Sequence, residues 1–512
     1  MFKEKNIKSI VPYIVLIFFA FLLSLMTWFR PFSSGVFGHD AGFFAYIGYA
    51  LNNGRIIYAE ILDSKGPFVY VFYMIGIMIN HYHGLWVIDL ITLVIALLFA
   101  YKTALLISEN NQWIAIVSVL FSALLLVVTL EGGSLAGQYA LPFICIALYY
   151  VTKYHFNKCH AKSYELIIIG ICFAAVFWIK ANYCAFFIPM IIVTATVLIR
   201  EKKYKTLLHA SSFILIGIII FSIPIITYLI YHDIFILAID GAYLNVLSGF
   251  EPLSRSTKIQ NVFGMIKEAS KTGFIYIALV FIISYVTCRS KKIIKNQALI
   301  NMLDISFWGL IINLWASTIN GYPWMHYFTT FTAIIVIPAT WIFHLIHKHF
   351  TDIIKSQNKF ILSNLVVCVI VLFISFNGLF LMVENIIFFP GNRGLPNHAP
   401  IVEFVLTNSN PDDLVQIIGD GHTSVNWRAR RLNASRHINF TDGNYTKEYE
   451  KIIAKEIAED IRIKIPKLLL FTPDRYEQFK SLVTEFNVGE FLSNYYEQQE
   501  VDFNLIVYKR LP

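Results

Sequence analysis

The chain has 512 residues, of which 57% are hydrophobic and only 14% are charged, with a mean hydropathy of +0.62. Because soluble domains carry roughly 25% charged residues, this composition argues against a single soluble domain and against a disordered protein. The net charge of +8 is unevenly distributed: residues 1–400 hold 27 Lys and Arg against 16 Asp and Glu, whereas residues 401–512 hold 14 against 17. A basic membrane part therefore precedes an acidic, water-soluble part.

Apolar segments recur along the first 383 residues. A helix needs about 20 residues to cross a hydrocarbon layer of about 30 Å. Eleven segments approach or exceed that length, and they lie at 11–29, 85–106, 113–130, 138–152, 164–180, 182–199, 209–231, 272–288, 298–319, 327–347 and 360–382. We therefore predict an α-helical polytopic membrane protein with about eleven transmembrane helices. The first segment has no small-residue cleavage site, which favours a retained anchor over a removed signal peptide.

The loop charges predict the orientation. With the N-terminus in the cytoplasm, the cytoplasmic loops carry 18 Lys and Arg and the opposite loops carry 8. This is the usual bias of membrane proteins, so the basic excess does not call for nucleic acid. We predict a multi-pass protein of the cytoplasmic (inner) membrane with its C-terminal region outside. Two outer loops, 30–84 and 232–271, are long. The first contains amphipathic pieces at 41–53 and 68–80, and the second of these is expected to lie at the membrane surface.

The tail is predicted to be an extracytoplasmic α/β domain spanning 384–512. Apolar runs indicate strands at 414–419, 467–471 and 503–508, and helical patterns lie near 445–461 and 474–486. The turn Gly419-Asp-Gly421 lacks the spacing of a phosphate-binding glycine loop. The six cysteines are scattered, without a CxxC pair, so neither a disulfide framework nor a zinc site is indicated.

The first outer loop carries the chemically most informative residues. Asp40 follows the first span within Gly38-His-Asp-Ala-Gly42, and Lys65 lies within Asp63-Ser-Lys-Gly-Pro67. A carboxylate beside an apolar helix is a site candidate. Pro67 is expected to begin a helix, where Lys65 and free backbone N–H groups would bind phosphate. The alternative is that Asp40 and Lys65 are ordinary loop charges, or pair with each other.

This order of motifs resembles the membrane glycosyltransferases of the GT-C class. The nearest resemblance is to bacterial members of the dolichyl-phosphate-mannose–protein mannosyltransferase-like superfamily, and a more distant one is to the lipid A aminoarabinose transferase. Further matching stretches are Gln138-Tyr-Ala-Leu-Pro142, Trp178-Ile-Lys-Ala-Asn182, Gly321-Tyr-Pro-Trp-Met-His-Tyr327 and Asn504-Leu-Ile-Val-Tyr-Lys-Arg510. The resemblance covers nearly the whole chain and implies that residues 1–383 form a transmembrane glycosyltransferase domain.

The resemblance also implies a reaction. Members transfer one sugar from a polyprenyl-phosphate carrier to a glycan, glycolipid or protein acceptor of the cell envelope, at the outer membrane face, with inversion. Such a transfer needs a base on the acceptor hydroxyl and stabilisation of the departing phosphate. By position, the resemblance assigns the base to Asp40 and the phosphate contact to Lys65.

The sequence departs from the family at one position. In the aminoarabinose transferase a Glu immediately precedes the Lys, whereas here Ser64 does, with Asp63 one residue further back. His39, Asp63 and His326 supply ligand types suited to a divalent metal. These three possible ligands come from two loops, so a site with a divalent metal and a metal-free site both remain open.

Further candidates each have a functional and a structural interpretation. Glu131 is either a second site carboxylate or a solvated loop acid, and Lys180 either contacts donor phosphate or extends to the membrane interface. Arg255 either belongs to a lid over the donor or is an exposed loop charge. His326 adjoins aromatic residues that an interfacial belt would explain. A basic cluster in the tail fits either an anionic acceptor or a solvated face, and its members are Arg428, Arg430, Arg431 and Arg436.

Two other functions compete with a glycosyltransferase. A transporter or flippase of lipid-linked saccharides would often show internal repeats and charged or broken helices at mid-membrane. In this sequence the charges gather at the ends of the spans and no repeat is evident. A polymerase of lipid-linked oligosaccharides is the other alternative. The early Asp40 and Lys65 motifs favour transfer of a monosaccharide, through the family resemblance.

Overall fold

The computed structural model describes residues 2–32, 37–244, 253–291, 294–319, 322, 324–354, 358–388, 398–419, 422, 424–438 and 446–512. The helices in the first 300 residues begin with α1 (Phe2–Ser24), α2 (His39–Asn52), α3 (Phe68–Ile79), α4 (Gly84–Ile107), α5 (Gln112–Ala123), α6 (Leu126–Thr129), α7 (Ala136–Phe156) and α8 (Ser163–Ile179). They continue with α9 (Phe187–Arg200), α10 (Tyr204–Tyr231), α11 (Phe235–Ile239), α12 (Arg255–Ser270), α13 (Phe274–Ser290) and α14 (Gln297–Thr318).

The remaining helices are α15 (Phe331–Ile353), α16 (Lys359–Phe388), α17 (Ala399–Asn408), α18 (Ser424–Ala429), α19 (Lys447–Lys464), α20 (Pro473–Leu482) and α21 (Val488–Tyr495). Short 3₁₀ helices cover Ala181–Phe186 and Met325–Phe328, and a π-helical turn covers Asp240–Leu244. The strands are β1 (Val415–Ile418), β2 (Leu468–Phe471), β3 (Tyr496–Gln499) and β4 (Ile506–Arg510).

The helices make the chain a multi-pass membrane protein. Within the described ranges, seven helices are long and apolar enough to cross a membrane: Gly84–Ile107, Gln112–Thr129, Ala181–Arg200, Tyr204–Tyr231, Gln297–Thr318, Phe331–Ile353 and Lys359–Phe388. An eighth candidate is the pair α12 and α13, which is bent by 99°. Every predicted apolar segment coincides with helical structure, but α1, α7 and α8 do not meet these criteria. The count of eleven spans therefore stays a prediction.

The chain folds as two compact units. The first consists of Met1–Thr27, Ile88–Ile225 and Leu253–Phe389. The second consists of Trp28–Val87, Ile226–Pro252 and Pro390–Pro512, so it unites the first long loop with the tail. The predicted boundary between residues 383 and 384 stays a prediction.

The first long loop contains the two helices that the sequence predicts. The predicted pieces 41–53 and 68–80 correspond to α2 and α3. They pack closely because Gly48 faces α3: a Cβ at this position would lie 2.6 Å from the Tyr73 backbone carbonyl. Phe44 stacks on Tyr73 with ring centroids 5.0 Å apart. The second long loop contains α12, which the sequence analysis did not predict because this segment is largely polar.

The tail contains a four-stranded sheet with strand order β1-β2-β4-β3. Strands β1 and β2 are parallel, whereas β4 is antiparallel to both of its neighbours. All four residues of β2 are buried, because its side chains alternate between two apolar clusters. Leu469 and Phe471 belong to one, with α19, α20 and α21. Leu468 and Leu470 belong to the other, with α17 and α18. Helices on both faces explain the continuous apolar run of β2.

Candidate active site

The second unit holds Lys65 in an ion pair with Asp63. The Lys65 ammonium lies 3.3 Å from Oδ1 and 3.4 Å from Oδ2 of Asp63. It also lies 4.4 Å from the centroid of the Phe44 ring. The side chains of Lys65 and Asp63 are only 17% and 8% exposed. Lys65 therefore has a carboxylate partner two residues away, and the alternative of a pair between Lys65 and Asp40 stays a prediction.

Two buried tyrosines fix this pair. The Tyr70 hydroxyl donates a 2.8 Å hydrogen bond to Oδ2 of Asp63. The Tyr58 hydroxyl donates a 2.6 Å bond to the backbone carbonyl of Lys65. Burial raises the pKa of both phenols well above their ordinary value, and the Asp63 charge adds to this effect. Both hydroxyls therefore remain protonated donors, which holds the Asp63–Lys65 segment in one geometry.

Asp40 and His39 begin helix α2. Asp40 lies in the first turn and is exposed. A carboxylate is favoured there because the N-terminal end of a helix carries a partial positive charge. Two residues further on, Gly42 allows close approach to α18, since a Cβ there would lie 2.7 Å from the Ser424 Cβ. Asp40 thus lies on a helix that is packed against the tail.

Two histidines of the tail accompany His39, and the sequence analysis missed both. His398 is buried, with Nδ1 2.8 Å from the Ser424 hydroxyl and its ring 4.9 Å from that of His422. Burial lowers the pKa of His398 to about 3, and the charges of His422, Arg428 and His39 act in the same direction. These residues are far apart in sequence and carry no local motif, so only the fold brings them together.

The predicted arginine cluster divides into different roles. Arg431 is buried and donates to the hydroxyl and carbonyl of Ser409. Arg436 forms a bidentate pair with Glu456, with both N–O distances at 2.8 Å. The buried Arg431 therefore does not belong to a solvated face, and both arginines join segments of the tail.

The first unit brings three predicted residues together. Oε2 of Glu131 lies 2.6 Å from Nδ1 of His326 and also accepts a 3.3 Å hydrogen bond from its backbone N–H. The ring of His326 meets that of Tyr327 edge-on at 4.8 Å. The Lys180 ammonium lies 4.3 Å from the Tyr327 centroid and 5.8 Å from that of Tyr183. Glu131 is therefore not a merely solvated loop acid.

Glu131 belongs to an unusual backbone segment. Residues 131–134 all have positive φ, at 46°, 95°, 77° and 56°. The two middle residues are Gly132 and Gly133, for which this conformation is easy, whereas Glu131 and Ser134 are L-residues for which it costs about 1–2 kcal/mol each. Such strain persists only where neighbouring groups enforce it.

Arg255 starts helix α12, whose N-cap is Ser254. Its side chain is exposed, and no ion pair involving it occurs within the described ranges. The preceding residues 250–252, which belong to the predicted lid, lie outside the described residues, as do Gly321 and Pro323 of the motif before His326.

The predicted metal ligands are divided between the two units. His39 and Asp63 belong to the second unit and His326 to the first. In the part of the chain that the structure describes, no three His, Cys, Asp or Glu side chains are arranged to hold a metal ion. A divalent metal therefore stays an alternative to a metal-free site.

The chain has the fold of known solved structures. The chain is similar to ArnT from Cupriavidus metallidurans in the apo state, with a TM-score of 0.61 and 10% identity over 99% of this chain and 98% of that chain. The same protein bound to undecaprenyl phosphate gives a TM-score of 0.59 and 10% identity over 98% of both chains. The arabinosyltransferase EmbB from Mycobacterium smegmatis gives 0.40 and 11% identity over 79% of this chain and 43% of that chain, which is too low to support a shared fold. The fold is therefore the GT-C-like membrane fold that the motifs predicted.

The family follows from the sequence. The family model described as "Putative competence-induced protein Ccs4 N-terminal domain" matches residues 3–391, and the chain belongs to that family. A comparison with curated proteins finds no match.

Proposed function

We propose that this protein is an inverting glycosyltransferase that moves a monosaccharide from a polyprenyl-phosphate carrier to an acceptor of the cell envelope. The observation that carries the proposal is a largely buried lysine in a GT-C-like fold. The Lys65 ammonium pairs with the Asp63 carboxylate and lies over the Phe44 ring. A fixed ammonium in a partly desolvated site interacts more strongly with a phosphate than one in water.

The chemistry divides between two residues of the second unit. The Asp40 carboxylate accepts the proton of the acceptor hydroxyl, whose oxygen then attacks the anomeric carbon of the sugar. The bond from that carbon to the phosphate oxygen breaks, and the electron pair leaves with the polyprenyl phosphate. Lys65 neutralises the charge that develops on this leaving group. Asp63 keeps the ammonium in place until the donor phosphate competes for it.

The remaining candidates assist in the first unit. ArnT has been solved with undecaprenyl phosphate, which supports a lipid donor of the same chemical class for this chain. We assign Lys180 to the donor phosphate because its ammonium is held over an aromatic ring. Arg255 is assigned to donor binding from the exposed start of α12. The Glu131–His326 pair is assigned to the sugar or its phosphate.

We further propose the sidedness that the loop charges predict. The N-terminus would lie in the cytoplasm and the tail outside the cytoplasmic membrane, with residues 1–383 as membrane domain and 384–512 as external domain. Fusion of alkaline phosphatase after Pro512 tests this directly. High phosphatase activity, with an inactive β-galactosidase fusion at the same point, is expected; the reverse pattern would refute the orientation.

The function itself is tested by removing the protein. We expect one polyprenyl-phosphate monosaccharide to accumulate, and a surface glycan to lose the same sugar, both measured by mass spectrometry. The purified protein in vesicles should then transfer that sugar to the glycan. Movement of the intact donor across the vesicle membrane without transfer would instead establish a flippase, and consumption of a lipid-linked oligosaccharide would establish a polymerase.

A further inference from the structure

The first unit contains a buried carboxylate that the proposed chemistry does not use. Asp89 lies in α4, one of the candidate spans, and is completely buried. Its Oδ2 accepts a 2.8 Å hydrogen bond from the Ser134 hydroxyl, and its Oδ1 accepts a 3.1 Å bond from Tyr139. Acidic residues inside apolar spans are rare and usually serve a function, because removing them from water is unfavourable. Asp89 therefore needs an explanation.

The hydrogen bond from Ser134 connects Asp89 to the segment with positive φ. Ser134 is the last of these four residues and is itself fully buried. Its backbone N–H donates a 2.9 Å bond to Oε1 of Gln138. A Cβ at Gly133 would lie 2.4 Å from Cγ2 of Thr27, so the segment is packed tightly as well as bonded. Residue 134 is thus fixed through its hydroxyl, its N–H and its neighbours.

The other end of the segment presents Glu131 to His326. The 2.6 Å contact between Oε2 and Nδ1 means that Nδ1–H donates to the carboxylate. The facing backbone is held too, since the Thr329 hydroxyl donates to the carbonyls of Thr129 and His326, at 3.1 Å and 2.8 Å. A histidine bound by a carboxylate at one ring nitrogen has a fixed tautomer and orientation.

We propose that Asp89 is a positioning residue for the Glu131–His326 pair. By anchoring Ser134, it holds residues 131–134 in their left-handed conformation and so aims the Glu131 carboxylate at Nδ1 of His326. The imidazole then presents Nε2 in one tautomer to whatever occupies the site. Only the consequence for sugar transfer rests on the proposed function; the orientation of His326 does not.

Histidine-selective ¹⁵N labelling tests the orientation directly. Spectra of the full-length protein in nanodiscs would be assigned with His326→Gln. Glu131→Gln supplies the signals of a His326 without its charged partner. We expect Asp89→Asn and Ser134→Gly to move the His326 signals from a single Nδ1–H tautomer toward those of Glu131→Gln. Ser134→Gly is informative because glycine tolerates the positive φ, so the variant removes the hydroxymethyl side chain without adding backbone strain.

The matched control is Ser122→Ala, which removes a buried hydroxyl of α5 that donates to the carbonyl of Ser118 in the same helix. This variant should leave the His326 signals unchanged. An unchanged His326 spectrum in a folded Asp89→Asn or Ser134→Gly protein would refute the proposal. If Asp89→Asn does not fold, the His326 spectrum of Ser134→Gly alone tests the proposal.

Transfer kinetics provide the second measurement. Loss of partners that orient a ligating or reacting histidine typically reduces function by roughly 10- to 100-fold. We expect Ser134→Gly to lower kcat by about this factor with little change in KM for the donor. Altered His326 signals in a protein that transfers no sugar even as wild type would uphold the positioning role and refute the proposed function. Altered His326 signals with an unchanged kcat would show that the orientation of His326 by Asp89 does not contribute to the rate of sugar transfer.

Discussion

The Tyr46 hydroxyl accepts a 2.8 Å hydrogen bond from the backbone N–H of Asn433, although 387 residues separate them. Both residues are buried, at 2% and 4% exposure. Two further bonds join the same segments: Leu62 N–H donates to the Arg436 carbonyl at 2.9 Å, and His81 Nε2 lies 3.0 Å from the Trp427 carbonyl. The loop that carries Asp40 and Lys65 is therefore built into the same unit as the tail.

Replacing Tyr46 by Phe should destabilise the second unit. The change leaves the buried N–H of Asn433 without its acceptor, which costs roughly 1–3 kcal/mol. We expect the midpoint of thermal denaturation in detergent to be lower. Limited proteolysis of the tail at increasing temperature measures it. Tyr49→Phe, on the same helix but only partly buried, is the control. Equal midpoints for the two variants would contradict a structural role for the Tyr46 bond.

Replacing Asp40 by Asn should abolish sugar transfer without preventing membrane insertion. Asn has nearly the same shape but cannot accept the acceptor proton, and loss of a general base lowers rates by about 10²- to 10⁴-fold. The measurement is transfer from the donor that accumulates without the protein. Glu109→Gln, at an exposed turn of the first unit, should keep full activity. Wild-type rates for Asp40→Asn would exclude Asp40 as the base.

Replacing Lys65 by Ala should weaken both binding and departure of the phosphate. We expect a higher KM for the lipid donor and a kcat lower by roughly 10²-fold, as for loss of one preorganised electrostatic contact. Asp63→Asn should have a smaller effect, because the ammonium remains but loses its carboxylate partner. Lys267→Ala, on α12, is the control. Unchanged donor kinetics in Lys65→Ala would disprove the assignment.

His81 should make the second unit sensitive to acid. Burial, assisted by the Arg430 charge, lowers the pKa of His81 from 6.5 to about 4. Between these values the unfolded chain binds a proton that the folded chain does not, so stability rises with pH and falls on acidification. Thermal unfolding followed from pH 7 to pH 4 should show this decline.

The His81→Asn variant isolates that contribution. It should be less stable than wild type at pH 7, and the difference should shrink toward pH 4, because the wild-type protein alone loses the stability linked to His81. His398, whose pKa is lowered to about 3, would maintain part of the acid sensitivity in the variant. Parallel pH profiles for the two proteins would rule out the contribution of His81.

The sequence by itself determined most of the local structure. Apolar runs of membrane length became helices, because a chain in lipid must satisfy its backbone hydrogen bonds internally. The pieces 41–53 and 68–80 became α2 and α3, and the runs at 414–419 and 467–471 became β1 and β2. In each case the periodicity and length of the apolar pattern are local properties.

Elements without an apolar pattern were missed. Strand β3 has the sequence Tyr-Glu-Gln-Gln and lies at the edge of the sheet, with two of its four side chains exposed. Helix α12 is largely polar and has only two buried residues. Their formation depends on hydrogen bonding to β4 and on packing against the bundle, which no local pattern encodes.

The sequence proposed some residues of the candidate site but missed His398 and His422, and only one of the contacts described for these residues is local. Asp63 and Lys65 are two residues apart, so their ion pair is a local event. Glu131 and His326 are 195 residues apart, and His398 and Ser424 are 26 apart. No sequence pattern marked Asp89 as a functional residue within its apolar helix. Only the tertiary structure decided these contacts. A buried carboxylate needs hydrogen-bond donors, and here the folded chain supplies them from residues that are distant in the sequence.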